Sequence, residues 1–231
     1  EKTLDNLSKS AVLDSAHHTI FTNLVQKLER EDLAGPHDFF TFQPVIEDSP
    51  CHMRAYLPPL SPRSQNKFTL VLDLDETLVH FEENQERTGG QFHVRPFAVD
   101  FLKQMSKYYE LVIFTAAIKE YADWILDKID EEGVISHRLY REHTCQKNNV
   151  FLKDLTLLGR DIRKCIIVDN NAENFQIHPQ NGIFIKSWYG DPTDQALKRL
   201  APILRGSSLL TLEISAASPN DIRQALAHVK Q

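Results

Sequence analysis

The chain has 231 residues, 42% of them hydrophobic and 25% charged, enough apolar content for one α/β domain with appended helices. A net charge of −6 argues against a nucleic-acid binder that works by neutralising phosphates. Three scattered cysteines (Cys51, Cys145, Cys165) exclude a disulfide scaffold or a cysteine zinc site and favour a reducing compartment, and no apolar run reaches the length of a membrane span.

Residues 1–66 read as an appended arm. Ile20, Leu24, Val25 and Leu28 recur at helical spacing, which predicts a helix near Ala16–Arg30. Pro36, Pro44, Pro50, Pro58, Pro59 and Pro62 make the next stretch extended or irregular, and Phe39, Phe40 and Phe42 are expected to anchor it on the main domain. The sequence opens on Glu1 and carries no apolar leader, so a targeting or membrane segment before Glu1 stays an open question.

From Lys67 the pattern alternates. Phe68–Leu72 is an apolar run without polar alternation, as in a strand buried on both faces of a parallel sheet. Phe81–Gly90 is polar with a Gly89-Gly90 turn, and Gln91–Val94 returns as a short strand. Pro96 opens a helix to about Tyr109, with Phe97, Phe101, Leu102 and Met105 on one face. Leu111–Phe114 is the next strand and Lys119–Ile129 the next helix. His137–Tyr140 and Asn149–Leu152 read as short extended segments, Cys165–Val168 and Gly182–Ile185 as strands, and Gln195–Leu204 as a helix. Such alternation predicts a doubly wound parallel sheet with helices on both faces. Ser218-Pro219-Asn220-Asp221 starts a last helix. The expected organisation is an arm (1–66), a main domain (67–206) and a strand/helix extension packed on it (207–231).

The informative residues close the strands. Asp73 and Asp75 end the first, and Asp169 follows Ile166-Ile167-Val168 at the end of another. Burying a carboxylate is costly unless it is paired or metal-bound, and the carboxyl edge of an α/β sheet is where ligands gather. His80, His93, His137 and His143 fall nearby, but no spacing among them suits zinc. A hydrophobic strand ending in Asp-Glu also suits a nucleotide hydrolase, but none of the eight glycines opens the phosphate loop that class requires.

Asp73-Leu74-Asp75-Glu76-Thr77, Thr115 after a strand, Lys153-Asp154-Leu155 and Ile167-Val168-Asp169-Asn170 stand in the order of the haloacid dehalogenase motifs. With its flanks the chain resembles the small carboxy-terminal-domain and Dullard-type serine/threonine phosphatases, from about Lys67 to about Leu204. The resemblance implies a haloacid-dehalogenase-type sheet without a large cap domain. It implies Asp73 as nucleophile through an aspartyl-phosphate and Asp75 as general acid and base. It also implies a magnesium cofactor, Mg²⁺ held by Asp73, the Asp75 carbonyl and Asp169, with Asn170 the neighbouring family position. Thr115, Lys153 and Arg141 would bind phosphate, and Thr77 would order the nucleophile loop.

An uncapped site implies a phosphorylated protein as substrate; the expected location is intracellular, the nucleus or cytoplasm, with the mitochondrion as the alternative. The polymerase-tail phosphatases carry a longer insert after the first motif, whereas Phe81–Gln91 is short and polar, so the RNA polymerase II tail is one candidate among others. A mitochondrial inner-membrane translocase receptor shares the pattern, including Trp188-Tyr189-Gly190, and uses it for binding. The intact Asp73, Asp75 and Thr77 set favours the enzyme.

Overall fold

The structure is a computed structural model that describes residues 55–61, 67–84, 90–213, 221–223 and 226. The expected helix near Ala16–Arg30, Phe39, Phe40 and Phe42 with the prolines before Ala55 and Pro62, and the Ser218-Pro219-Asn220 helix start lie outside the described residues, whereas Pro58 and Pro59 lie in a described stretch that is irregular as expected. Residues 55–82 and 92 onward cluster as one compact unit; of the described residues, 83–84 and 90–91 group separately.

In chain order the elements are β1 (Phe68–Leu72), β2 (Val79–Glu83), β3 (Gly90–Val94), α1 (Ala98–Met105), β4 (Tyr109–Phe114), α2 (Lys119–Ile129), β5 (His137–Leu139), β6 (Cys145–Lys147), β7 (Val150–Leu152), β8 (Cys165–Asp169), β9 (Gly182–Phe184) and α3 (Ala196–Glu213). Five parallel strands form the central sheet in the order β5-β4-β1-β8-β9. β2–β3 and β6–β7 are separate two-stranded sheets. β1 lies at the centre because Leu70, Val71 and Leu72 offer apolar side chains to both faces, and all three are fully buried. Each such aliphatic contributes about 1.5–3 kcal/mol on burial.

The register carries the site. Val71 pairs with Val112 on one side and Ile167 on the other, and Leu72 with Ile113 and Val168. The Asp73 N–H continues the ladder by donating to the Val168 carbonyl at 3.0 Å. Parallel strands held level turn corresponding side chains to the same face, so Asp73 and Asp169 leave the sheet on the face of Val71, Phe114 and Ile167.

That face is closed by 3-10 turns, at Leu155–Leu158 and Ala172–Phe175, whose Leu155, Leu158 and Phe175 pack with Val71, Val112, Phe114 and Ile167. Helices on both faces were expected, and on this face they take the form of short 3-10 turns. Asp154, Asp161 and Asn171 each accept a backbone N–H two residues on, which favours short turns over continuous helix. Gly182 is needed on β9, where an added Cβ would meet the Phe175 ring at 2.1 Å. On the other face, Tyr109 Oη donates to the Leu204 carbonyl at 2.6 Å, which fixes α3 there, and α1 packs against α3.

Other boundaries also moved. α1 starts at Ala98 after Phe97 in the left-handed region (φ 69°), so Phe97 lies before the helix and Tyr109 already belongs to β4. The first turn of the polar segment is strand β2, and α3 runs on through Glu213, so position 206 falls inside a helix rather than between two elements. Among the described residues no helix is long and apolar enough to cross a membrane.

Candidate active site

At the carboxyl edge of β1, β4 and β8 three buried charged side chains meet. Lys153 follows β7 and reaches under the edge, its backbone N–H donating to the Asn174 carbonyl at 2.7 Å. Its ammonium donates to Asp73 Oδ1 and Asp169 Oδ2, each at 2.6 Å, with the Phe114 ring centre 6.0 Å away. Lys153 and Asp169 have no exposed surface and Asp73 is 6% exposed. Burial pulls the lysine down, but the two carboxylates outweigh it and hold it above the ordinary lysine range. Burial raises the Asp73 carboxyl; Lys153 opposes that rise, while Asp169 adds to it.

Asp169 is held on both oxygens. The Asn171 N–H donates to Oδ1 at 2.8 Å, and the Asn174 side-chain amide lies 3.2 Å from each oxygen. The carboxylate therefore has one orientation, aimed at the lysine.

Asp75 stands two residues past Asp73 on a tight loop. The N–H groups of Leu78 and Val79 donate back to the Leu74 carbonyl at 2.8 and 3.2 Å, and Glu76 takes a left-handed conformation (φ 55°). Tyr121, on α2, donates its phenol to Asp75 Oδ1 at 2.6 Å. Burial pushes the Asp75 carboxyl up to about 6 against hydrogen bonds from Tyr121 and Thr115, with Glu76 adding to the rise. Burial and the neighbouring Asp75 push the Tyr121 phenol well above its usual range, so it stays a donor. A carboxyl held near neutrality can both give and take a proton.

Thr115 is buried after β4, its hydroxyl accepting the Ala117 N–H at 2.9 Å. Arg141 is tied to that loop rather than to the carboxylates: Nε donates to the Ala116 carbonyl at 2.6 Å, and the guanidinium lies 5.1 Å over the Phe151 ring. Thr77 donates to Asn170 Oδ1 at 3.4 Å, and the Asn170 amide nitrogen donates to Ser187. The Asn170 side chain thereby joins the loop at Thr77 to Ser187.

The donor set fits a hard divalent cation. Asp73 Oδ1 and Asp169 Oδ2 already converge on one positive centre, the ammonium, and two carboxylates against one lysine leave net negative charge. Among the described residues no three His, Cys, Asp or Glu side chains form a metal cage. Carboxylate oxygens are the ligands a hard divalent cation such as Mg²⁺ takes, with water completing its shell.

Each nearby histidine has another partner. His80 sits 3.2 Å from Glu76, His93 3.0 Å from Glu82 and His137 3.2 Å from Glu110, while His143 Nδ1 accepts the Tyr140 N–H.

Sequence reasoning passed over Tyr121, Asn174 and Arg95. Tyr121 gave no local signal. Asn174 was findable as the last amide of Asp169-Asn170-Asn171-Ala172-Glu173-Asn174. Arg95 was findable as a lone charge beside Val94, Pro96 and Phe97.

A family model for NLI interacting factor-like phosphatases matches residues 68–214. A probable C-terminal domain small phosphatase of Dictyostelium discoideum is 42% identical over 160 residues, 63% of this chain and 52% of that protein. The mitochondrial import inner membrane translocase subunit tim50 of Aspergillus fumigatus is 39% identical over 148 residues, 64% of this chain and 29% of that protein. The chain thus spans about half the length, or less, of these relatives. The structure of the fission yeast RNA polymerase II CTD phosphatase Fcp1-R271A bound to beryllium fluoride aligns with a TM-score of 0.55 at 16% identity, covering 69% of each chain, a likeness of fold.

Proposed function

The chain belongs to the NLI interacting factor-like phosphatase family, and from that premise we propose that it hydrolyses phosphoserine or phosphothreonine in a protein substrate, with Mg²⁺, through an aspartyl-phosphate on Asp73. One observation carries the reading: Lys153 bridges Asp73 and Asp169 while a second, separately held carboxyl, Asp75, stands two residues away.

In the first step an Asp73 oxygen attacks phosphorus, an acyl-phosphate bond forms and the bond to the serine or threonine oxygen breaks. Asp75 gives its proton to the departing alkoxide, which is otherwise a poor leaving group. In the second step water attacks phosphorus, Asp75 takes its proton, and the bond to Asp73 breaks to release phosphate. Lys153 supplies fixed positive charge where negative charge develops. Thr115 and Arg141 would bind the phosphate oxygens in this reading, Arg141 from its place on the loop after Thr115. Asp73, the Asp75 carbonyl and Asp169 would hold Mg²⁺, which neutralises repulsion between carboxylate and phosphate when bound. Asn170 serves this reading as a support for Thr77.

A protein substrate follows from the connections. β2–β3 fills the described stretch between Asp75 and Arg95, and α2 with short strands fills that between Thr115 and Lys153, so a peptide segment can reach the site. The nucleus or cytoplasm is the compartment this reading favours.

Side-by-side kinetics on phosphoserine and phosphothreonine peptides, sugar phosphates and nucleotides test the assignment. Higher kcat/KM for a peptide is expected, because contacts beyond the phosphate lower the barrier. A sugar phosphate that outperforms every peptide overturns the substrate class. The tim50 relative supports a second reading, a mitochondrial binding module; specific binding of a presequence peptide with no turnover of any phosphate would establish it.

A further inference from the structure

Arg95 is the bulkiest fully buried side chain of the described residues, 1% exposed, and it lies outside every motif named above. Its guanidinium meets Asp194 edge on, Nε to Oδ1 at 2.9 Å and Nη2 to Oδ2 at 3.0 Å. The remaining donors go to backbone. Nη1 reaches the carbonyls of Thr77 at 3.1 Å and Glu76 at 3.4 Å, and Nη2 that of Lys186 at 2.9 Å. The Arg95 N–H also donates to the Leu78 carbonyl at 2.9 Å.

Three consecutive carbonyls of the loop that carries Asp75, those of Glu76, Thr77 and Leu78, are therefore held by one residue. The same loop contains the left-handed Glu76, a conformation that surrounding contacts must maintain in a residue with a side chain. Its far side is pinned by the Trp188 N–H, which donates to the Glu76 carbonyl at 2.9 Å. Asp194 is itself fixed, accepting the Ala196 N–H at the start of α3 at 3.0 Å. A rigid path thus runs from α3 through Asp194 and Arg95 to the loop between Asp75 and β2.

We infer that Arg95, locked by Asp194, is a positioning residue: by holding the carbonyls of Glu76, Thr77 and Leu78 it sets where Asp75 stands relative to Asp73. The inference deepens the phosphatase reading and rests on it. The planar fork of five donors is what the task requires, and lysine, with one compact ammonium, can keep the Asp194 pair but cannot also span two carbonyls.

The experiment compares Arg95→Lys and Asp194→Asn with wild type by steady-state kinetics on an aryl phosphate, thermal unfolding, and amide hydrogen exchange. For Arg95→Lys, kcat is expected to fall about ten-fold or more with KM within about two-fold, the signature of lost transition-state alignment. Amides of 77–79 should exchange about ten-fold faster while those of 111–113 in β4 keep wild-type rates. Full kcat in Arg95→Lys, or equal acceleration of loop and β4 amides, overturns the inference. If Arg95→Lys does not fold, Asp194→Asn, which keeps shape and loses charge, is held to the same criteria. If wild type turns over no phosphate, the phosphatase reading fails by itself. Loop exchange then decides alone: selective loosening of 77–79 upholds Arg95 as the organiser of the loop, and unchanged exchange overturns it.

Discussion

Tyr121 on α2 donates its phenol to Asp75 Oδ1 across 2.6 Å, joining a helix to the loop after β1. Rotating the Asp75 carboxyl would break this hydrogen bond inside a buried site, so the bond holds the carboxyl in one place. Tyr121→Phe keeps the ring and its packing on Phe81, 6.0 Å between centres, and deletes the phenol's bond to Asp75. An approximately ten-fold loss of kcat with little change in KM is expected, because an oriented acid contributes about 10²–10⁴-fold and orientation is part of that. Steady-state kinetics on an aryl phosphate measures it, and full turnover would remove Tyr121 from the mechanism.

Asp73→Asn preserves volume and removes the attacking charge. Turnover should be abolished and trapping by beryllium fluoride lost. The fold should persist, since the amide oxygen can still accept from Lys153, now 2.6 Å from the carboxylate. Circular dichroism with a phosphate-release assay separates loss of chemistry from loss of structure. Near wild-type hydrolysis by this variant would sink the aspartyl-phosphate route.

Chelation should abolish activity and Mg²⁺ restore it. Asp169→Ala should raise the Mg²⁺ requirement or eliminate turnover, since it removes one of the two carboxylates that converge on Lys153. A titration of Mg²⁺ against rate is the measurement. Equal rates in metal-free protein would exclude the metal-dependent mechanism.

Acid stability has a separate source, at the other edge of the sheet. Burial would raise Glu110, but Arg160 grips both its oxygens at 2.7 and 2.8 Å and His137 adds a bond, and together they pull the carboxyl down to about 2. A folded-state value below the unfolded one contributes stability that is complete above the unfolded value of about 4.5 and lost as pH falls toward 2. Glu110→Gln should destabilise the protein by a few kcal/mol at neutral pH. It should also flatten the fall in melting temperature between about pH 5 and pH 2. A parallel melting series for wild type and variant is the check; curves of the same shape would remove Glu110 as the source.

The apolar runs of β1, β4 and β8, and the aspartates that close two of them, were legible in the sequence because a strand buried on both faces admits no polar alternation. α2 was legible to its end residues for a related reason, its apolar residues recurring at helical spacing. Adjacent strands in the sheet follow from register, so the approach of Asp73 to Asp169 needed only the right order β4-β1-β8. Lys153 between them, Tyr121 on Asp75, Asn174 on Asp169 and Arg95 on the nucleophile loop were decided by tertiary structure. Each joins segments 5 to 80 residues apart through a side-chain bond whose partner has no fixed spacing along the chain. The 3-10 cover over one face was equally hidden, because Asp154, Asp161 and Asn171 divert the backbone through local bonds that compete with helix. Sequence periodicity reports which side chains leave water; which polar groups then meet in the dry interior depends on how the strands and turns are brought together.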